Sequence, residues 1–527
     1  MEKKFKYISK FLLFFYFITG LYLSVNTGIT TDELPNLYIW SLNLEAIKNF
    51  LGFNDTGYQN LYNYEWKYKG VGFYYFSYIY LFLANSFISL DSYSKVISDV
   101  LINHSLIFIT FFLSALISRK IVYLIIKDKF FSNIFLIIYL LYPYLLGHGF
   151  FNTTDIPFLF AWILSTFIST KIFVKIFNKE KITIKHVLLL SFSTSLLLSI
   201  RISGLLILLQ FFIFSIITAK NCNISFYKLL KSHLNKILFF IFSTLVFTIL
   251  FYPLFWKNPL IVLEAVEYLR NIPYGVCTLT LGSCMDALNL PSSYIFIWLF
   301  FKLPILAIVG FVIFPFIEKK IFSSKINQIT LGSLSLTIIS IIFLLIFFNV
   351  NLYDELRHIL FLIPLLLIVS FSVIYYFSKK MILYISVITI FIFAIQNINM
   401  YPYQYTWFNI FSNFTDINKN FEIDYWGVSG RNIAKKINSN DKLLSNKDNC
   451  IYASPKHVIE PFIDSKYKCI KNYLSIYPKS SEKYILVKYM RNIRRENPDD
   501  CKLIFEENYN LNVFSNNLVM GKVFICN

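Results

Sequence analysis

Asp32 and Glu33 stand side by side just after a long apolar run, Phe11–Val25. A carboxylate beside apolar surface has its charged form disfavoured, which lifts its pKa toward that of a general base near neutral pH. The same pair also reads as two solvated loop acids. A further acid, Asp155, closes Gly147-His148-Gly149-Phe150-Phe151-Asn152-Thr153-Thr154 ahead of Ile156-Pro157. It is placed to cap the helix starting at Ile156, with Pro157 in the first turn, and capping does not exclude a site role. Arg201 interrupts the apolar stretch Val187–Thr218. A cation at membrane depth costs about 2.5–3.5 kcal/mol on insertion scales. It calls for an interior partner, such as Asp155 or a lipid phosphate; snorkelling at a turn is the alternative. Lys302, four residues after Trp298 and just before Leu303-Pro304, raises the same question, and its long stem also suits snorkelling. Tyr353-Asp354-Glu355-Leu356-Arg357-His358 packs four ionisable groups besides the tyrosine into one turn. It reads as a cationic site or as a solvated turn. Asp424-Tyr425-Trp426-Gly427 opens the tail, its aromatics also fitting an interfacial anchor.

The elements that must position these residues are apolar runs. Of 527 residues, 56% are hydrophobic and 15% charged, against about 45–50% and about 25% in soluble domains. Eleven runs have lengths near the ~20 residues of a membrane span. They are Phe11–Ile29, Leu101–Ile126, Ser132–Leu146, Ile156–Phe173, Val187–Ile200, Ile202–Thr218, Ile237–Phe255, Ser293–Ile317, Ile329–Phe348, Ile359–Phe377 and Met381–Ile398. Phe11–Val25 fits a first transmembrane helix better than a cleaved signal. The Tyr-rich run Gly72–Leu90 is assigned as interfacial or re-entrant, because counting it inverts every later loop. The net charge of +19 lies in short loops between the runs, which speaks against a nucleic-acid-binding face. Lys and Arg gather in alternate loops, as at Lys171, Lys175, Lys179, Lys181 and Lys185. Asp32, Glu33, Glu45, Asp55, Glu65, Asp91, Asp354 and Glu355 fall in the others. By the positive-inside rule the N-terminus is cytoplasmic and the acids lie outside.

The expected fold is therefore an all-α polytopic membrane domain, residues 1–400, with outer loops 30–100 and 256–292. A small α/β domain, residues 401–527, follows on the outer face. Its elements are a helix over Gly427–Ile437 and short strands at Cys450–Ala453, Tyr484–Lys488, Lys502–Phe505 and Leu518–Cys526. Cys277 and Cys284 share an outer loop and four more cysteines share the tail. Even numbers in outer segments suit disulfides. Cys277 can pair with Cys284, the tail allows three pairings, and unpaired buried thiols are the alternative. There is no phosphate-cradling glycine loop, Rossmann fingerprint or His-Glu-x-x-His. No metal site and no cofactor is expected, although a divalent ion stays compatible with the chemistry.

The order of motifs resembles the dolichyl-phosphate-mannose-protein mannosyltransferase-like group. This is glycosyltransferase family 39 with its bacterial relatives, in the C-type membrane glycosyltransferase superfamily. An acidic pair follows the first span, then come GHGFFNTTDIPF and RISGL. YPLFWKNP, LPSSYIFIWLFFKLP, NLYDELRHILFLIP, MYPYQYTWFN and DYWGVSGRNIAKKI continue the likeness from about residue 30 to residue 437. The last 90 residues lie outside it. The resemblance implies transfer of a sugar, with inversion, from a polyprenyl-phosphate donor to a hydroxyl of a lipid, glycan or protein in the bacterial cell envelope. It implies Asp32 as base, Glu33 as a structural or acceptor-side partner, and Asp155 as second acid of the outer cavity. Arg201 is the implied donor-phosphate ligand, with Lys302, Arg357 and His358 as lesser candidates. His148, Tyr353 and Asp354 are neighbours of interest. Where many relatives carry Pro-Lys before the second aspartate, this chain has Thr153-Thr154, which removes one cation from the phosphate side. The rival expectation is a transporter or flippase of lipid-linked sugars, which would carry charges through the full membrane depth.

Overall fold

The computed structural model describes residues 2–88, 90, 92–270, 275–440, 443, 449–467, 469–472, 483–494, 500–511 and 517–526. Asp91, expected among the outer acids, lies outside the described residues. The chain is mostly helical, with a sheet near its C-terminus. Every apolar run named above forms helix, but six helices among the described residues are long and apolar enough to cross a membrane. They are Lys95–Ile126, Asp155–Phe177, Ile202–Asn221, Leu234–Phe251, Lys325–Phe347 and Lys379–Met400. Two bent pairs bring the number to eight if each is one span. These are Lys129–Leu141 with Pro143–Phe151, bent by 60°, and Ser293–Lys302 with Ile305–Ile321, bent by 118°.

The difference from eleven has local causes. Pro143 and Pro304 begin new helical directions, because proline cannot donate to the preceding turn and pushes its neighbour out of the α region. Three of the expected runs, the first among them, form shorter apolar helices, Lys10–Val25, Ile184–Ile200 and Leu362–Phe377; the last two have 17 and 16 residues, about 24–26 Å at 1.5 Å per residue. That falls short of ~30 Å of hydrocarbon. Gly72–Ala84 is an apolar helix of 13 residues, about 20 Å long, and does not cross that thickness alone. The expected single span Ser293–Ile317 is thus two helices. Lys302 is the last residue of the first, at the elbow, and not a third of the way along one helix.

Among the described residues two sheets are formed. Strands β1 (Cys277–Thr280) and β2 (Ser283–Asp286) make a hairpin closed by a Cys277–Cys284 disulfide. The larger sheet has β3 (Cys450–Ala453), β4 (Ile470–Asn472), β5 (Tyr484–Tyr489), β6 (Cys501–Asn510) and β7 (Asn517–Cys526) in the order β4-β3-β5-β7-β6. Of the three pairings open to the tail, the structure forms Cys450–Cys469 and Cys501–Cys526. Helix Gly430–Asn438 packs on this sheet through Ile433, Ala434 and Ile437.

The sheet is not an appendage. Ile29, Ile97, Val100 and Leu101 of the helical part share one apolar cluster with Ile433, Ile451, Ile485 and Val523. Residues Tyr403 to Val428 contribute Tyr405, Trp407, Phe421, Tyr425 and Trp426 to the core of the helical part itself. The loop ahead of Asp32 is sewn to this segment. Thr31 N–H donates to the Trp426 carbonyl at 3.0 Å, and Arg431 Nη1 donates to the carbonyls of Val25 and Thr27 at 3.1 and 2.9 Å. Gly28 lies so close that an added Cβ would sit 2.2 Å from the Val428 carbonyl oxygen. Gly28→Val should therefore pry this seam open and lower stability by about 1–3 kcal/mol, as overpacking does. Thermal unfolding in detergent checks this; an unchanged midpoint would contradict the seam.

Candidate functional site

The bend Ile29-Thr30-Thr31 leads from helix Glu2–Val25 into helix Glu33–Phe50. It turns the two adjacent acids to opposite sides. Glu33 is buried: its Oε2 accepts from Thr30 N–H at 2.7 Å and its Oε1 lies 2.6 Å from His104 Nε2. His104 Nδ1 reaches Thr27 Oγ1 at 2.9 Å and the Ser24 carbonyl at 3.1 Å. Both Glu33 oxygens are thus engaged in holding the bend against helix Lys95–Ile126. Asp32 faces a cluster of charges, with 32% of its side chain exposed.

Arg357 Nη2 donates to Asp32 Oδ2 at 2.9 Å, Nη1 donates to Asp354 Oδ2 at 3.0 Å, and Nε lies 3.7 Å from Asp155 Oδ2. The guanidinium rests 4.3 Å from the centre of the Trp426 ring and 5.6 Å from that of Tyr353, a cation–π arrangement. Asp155 is buried, and its Oδ1 is 2.5 Å from Arg201 Nη2. The expected cap at Asp155 is not made. Asp155 is itself the first helical residue, and Asn152 Oδ1 accepts from the N–H groups of Thr154 and Asp155 at 3.2 and 2.7 Å. Asn152 Nδ2 then donates to Asp155 Oδ2 at 2.8 Å and lies 3.0 Å from His148 Nδ1. His148 therefore acts on Asp155 through Asn152, enclosed by the rings of Tyr144, Phe151, Tyr405 and Trp426.

Arg201 sits in extended backbone between helix Ile184–Ile200 and the turn Ile202–Leu205. The tight turn that the length of Val187–Thr218 requires falls at this residue. Its side chain is 18% exposed. Lys69, which sequence reasoning passed over, joins the cluster: Asp32, Asp155, Arg201 and Arg357 all act on it electrostatically. Gly70 and Gly72 bring it there. An added Cβ at Gly70 would lie 2.4 Å from the Ser199 carbonyl, and at Gly72 1.7 Å from Ser199 Oγ. The strand of chain carrying Lys69 thus lies flush against the residues leading to Arg201.

These charges set the protonation of Asp32, and not as its apolar setting suggested. Burial favours the neutral form, but Arg357, Lys69 and Arg201 outweigh it and hold the carboxyl below the ordinary carboxylate value. Burial pushes Lys69 down from the ordinary lysine value against the pull of Asp32. His358 packs edge-on against Tyr353, ring centres 4.5 Å apart. Burial, then Arg201 and Arg357, keep it well below the ordinary histidine value. It offers a hydrogen bond and not a charge.

Lys302 is remote from solvent and pairs with Glu355 at 2.9 Å among the rings of Phe408, Tyr144 and Trp298. It anchors the turn that carries Arg357. That turn holds Asp354 and Glu355 at φ 57° and 64°, left-handed values that cost energy for non-glycine residues. Asp354 is fixed further by its N–H donating to Thr278 Oγ1 of β1 at 2.9 Å and by an ion pair to Arg491. Asp32, Asp155, Arg201, Arg357, Tyr353, Asp354 and His358 are thus brought together, while Glu33, His148 and Lys302 stand behind them. Among the described residues no group of three or more His, Cys, Asp or Glu side chains is arranged to hold a metal ion. Neither a scan against protein-family models nor a search of the curated proteins finds a match.

The arrangement places an ionised, part-exposed carboxylate under the influence of three cations, Arg357, Lys69 and Arg201. Glu33→Ala, which leaves buried His104 Nε2 without its partner, should cost about 1–3 kcal/mol of stability, whereas Asp32→Asn should change it by less than about 1 kcal/mol. Equal losses in thermal unfolding would refute this division. Glu355 gives a pH test. Burial, against the attraction of Lys302, pushes it up to about 7 from 4.5. Between those values the native chain holds a proton that the unfolded chain has released, so stability falls as pH rises through that window. Glu355→Gln should flatten the profile of unfolding midpoint against pH.

Proposed function

We propose that the chain is a multi-pass membrane glycosyltransferase of the C-type superfamily. It moves a sugar from a polyprenyl-phosphate donor to a hydroxyl of a lipid, glycan or protein acceptor. The juxtaposition of part-exposed Asp32 with Arg357, Arg201 and Lys69 carries the reading. The resemblance of the ordered motifs to family 39 and its bacterial relatives supports it. In the reaction, the acceptor oxygen attacks the anomeric carbon as its proton passes to Asp32. The bond from that carbon to the phosphate oxygen breaks, and polyprenyl phosphate leaves with the electron pair. One displacement inverts the anomeric centre. An ionised Asp32 is the form that accepts the proton. Arg201 and Lys69 stabilise the charge growing on the phosphate, and Arg357 orients Asp32.

Arg201 suits the donor because it lies at a break between two apolar helices, where the phosphate of a lipid embedded in the bilayer arrives. The proposed setting is a bacterial inner membrane, with the N-terminus cytoplasmic and the sheet domain periplasmic, an orientation that needs an odd number of crossings and so has a shorter apolar helix such as Lys10–Val25 cross as well. Loop charge asymmetry and three disulfides on the side of the sheet support that orientation.

Asp32→Asn, folded and expressed normally, should lose at least 100-fold in transfer rate, in line with removal of a general base. Arg201→Ala should weaken binding of the lipid-phosphate donor about tenfold or more, consistent with loss of a charge-assisted contact. Full activity in the first variant would sink the assignment of the base. Unchanged donor affinity in the second would refute the phosphate role.

A further inference from the structure

Two lysines stand within helices rather than in the loops between them, and no acid answers them. Lys120 belongs to helix Lys95–Ile126 and Lys171 to the neighbouring helix Asp155–Phe177. Lys120 follows His104, and Lys171 follows Asp155, by the same 16 residues, about 24 Å along each helix. Both lysines therefore lie near the far side of ~30 Å of hydrocarbon from the Asp32 site. Each still precedes the end of its helix by six residues. Their ammonium groups meet over one ring. Lys171 Nζ is 4.4 Å and Lys120 Nζ 5.8 Å from the centre of Phe167, which leaves them at most about 10 Å apart.

The charges that act on Lys171 are Lys120 and Lys175, and both repel it. Lys175 has an acid of its own, Glu180 Oε2 at 2.8 Å, and the other Glu180 oxygen accepts from Asn178 Nδ2 at 3.1 Å. Arg119, beside Lys120, turns away and donates to Asn133 Oδ1 at 2.6 Å. Among the described residues, then, no carboxylate pairs with Lys120 or Lys171. The face of one aromatic ring attracts both cations and does not cancel their repulsion. A phosphate does, and one that bridges two ammonium groups through charge-assisted hydrogen bonds of about 2.8 Å fits a gap of this size. Both lysines are exposed and can turn to it. Toward the Asp32 site the same faces carry Leu113, Leu116 and Ile117 on one helix and Leu164 and Phe167 on the other. Spacings of three, four and seven residues put them in line with the lysines, and none of them is fully buried. A free phosphate makes no use of such a strip, whereas an acyl chain lies along it.

We propose that Lys120 and Lys171 form a binding site for an anionic phospholipid in the leaflet opposite the Asp32 site. They hold its phosphate between them, and its acyl chains run along Leu113, Ile117 and Leu164. Loop charge asymmetry accounts for cations on this side. It does not account for two of them at one ring, set back from the helix ends and without an acid. The bound lipid joins the two helices whose other ends carry His104, the partner of Glu33, and Asp155. The site does not rest on the transferase reading, since any multi-pass protein with this arrangement has it.

Native mass spectrometry of the purified full chain in detergent, titrated with dioleoyl phosphatidylglycerol, dioleoyl phosphatidylcholine or inorganic phosphate, tests this without any turnover. The first phosphatidylglycerol should bind about tenfold or more tighter than phosphatidylcholine, and inorganic phosphate should not displace it at equal concentration. The double variant K120Q/K171Q should lose about tenfold or more in affinity for phosphatidylglycerol, as loss of charge-assisted contacts does. K120R/K171R, which keeps both charges, should stay within about threefold of the native chain. The same charge is removed by K228Q/K231Q, at exposed lysines of helix Phe226–Ser232, and this variant should change the affinity by less than about twofold if one site and not the whole basic face holds the lipid. Because Lys120 and Lys171 repel each other, K120Q/K171Q without lipid should unfold at a midpoint no lower than that of the native chain, which separates lost binding from lost fold. The site would be overturned by equal binding of phosphatidylcholine, by displacement with inorganic phosphate, or by undiminished binding in K120Q/K171Q. Equal losses in K228Q/K231Q and K120Q/K171Q, or loss of binding in K120R/K171R, would overturn it too. No sugar is transferred in any arm, so failure here and failure of the transferase reading are told apart.

Discussion

Three carboxylates, Asp32, Asp155 and Asp354, converge on the Arg357 guanidinium. Removing any of these charges from water costs several kcal/mol per ion, which the partners must offset. One cation does not balance three acids. Arg201 completes Asp155, Arg491 completes Asp354, and Lys69 adds charge beside Asp32. The rest of the molecule is arranged to bring these groups from distant parts of the chain to one place. The break after Ile200 delivers Arg201, glycines 70 and 72 deliver Lys69, and the left-handed pair at 354–355 aims Arg357. Trp426 closes the stack and, through its carbonyl, holds the bend at Thr31.

Arg201 on one side of this network and Arg491 with Arg494 on the other have different surroundings. Arg201 is flanked by apolar helices, and Arg491 with Arg494 by the sheet and the disulfide-closed hairpin. Asp32 lies between them, ionised and reachable. A transferase that draws its donor from a lipid phase and its acceptor from an aqueous one needs this order. A carrier moving a lipid-linked sugar across the membrane would place its charges along the helices. Here the charges collect at the helix ends and turns, apart from the Lys302–Glu355 pair, which is sealed behind the site.

How much of this was legible in the sequence follows from how rare charges are in it. Asp32, Asp155, Arg201 and Arg357 stood out because each interrupts or bounds an apolar run, where an unpaired charge is costly. Their convergence confirms none of the chemistry but makes them one cluster. Lys69 was not legible, since Lys67 and Lys69 look alike in a polar loop, and the close approach of Gly70 and Gly72 to Ser199 is visible only in three dimensions. His104 left a signal, a lone imidazole inside the run Leu101–Ile126, and its partner Glu33 was in view. Four of the five strands of the tail sheet were readable from their β-type runs; the three-residue β4, Ile470–Asn472, was too short to be. The number of crossings was not, because Pro143 and Pro304 bend helices that their hydropathy alone joins. The upward shift expected for Asp32 failed for the same reason as Lys69: the cations around it come from elsewhere in the chain.

The central claim is that Asp32 and the cations around it act on a sugar linked to a lipid phosphate. The most direct measurement reconstitutes the full chain with a panel of polyprenyl-phosphate sugars and envelope acceptors and identifies the products. Release of polyprenyl phosphate matched by a new glycoside of inverted anomeric configuration, absent when Asp32 is replaced by Asn, is the result this account predicts. Movement of the intact lipid-linked sugar across the bilayer with no glycosidic bond broken would contradict it.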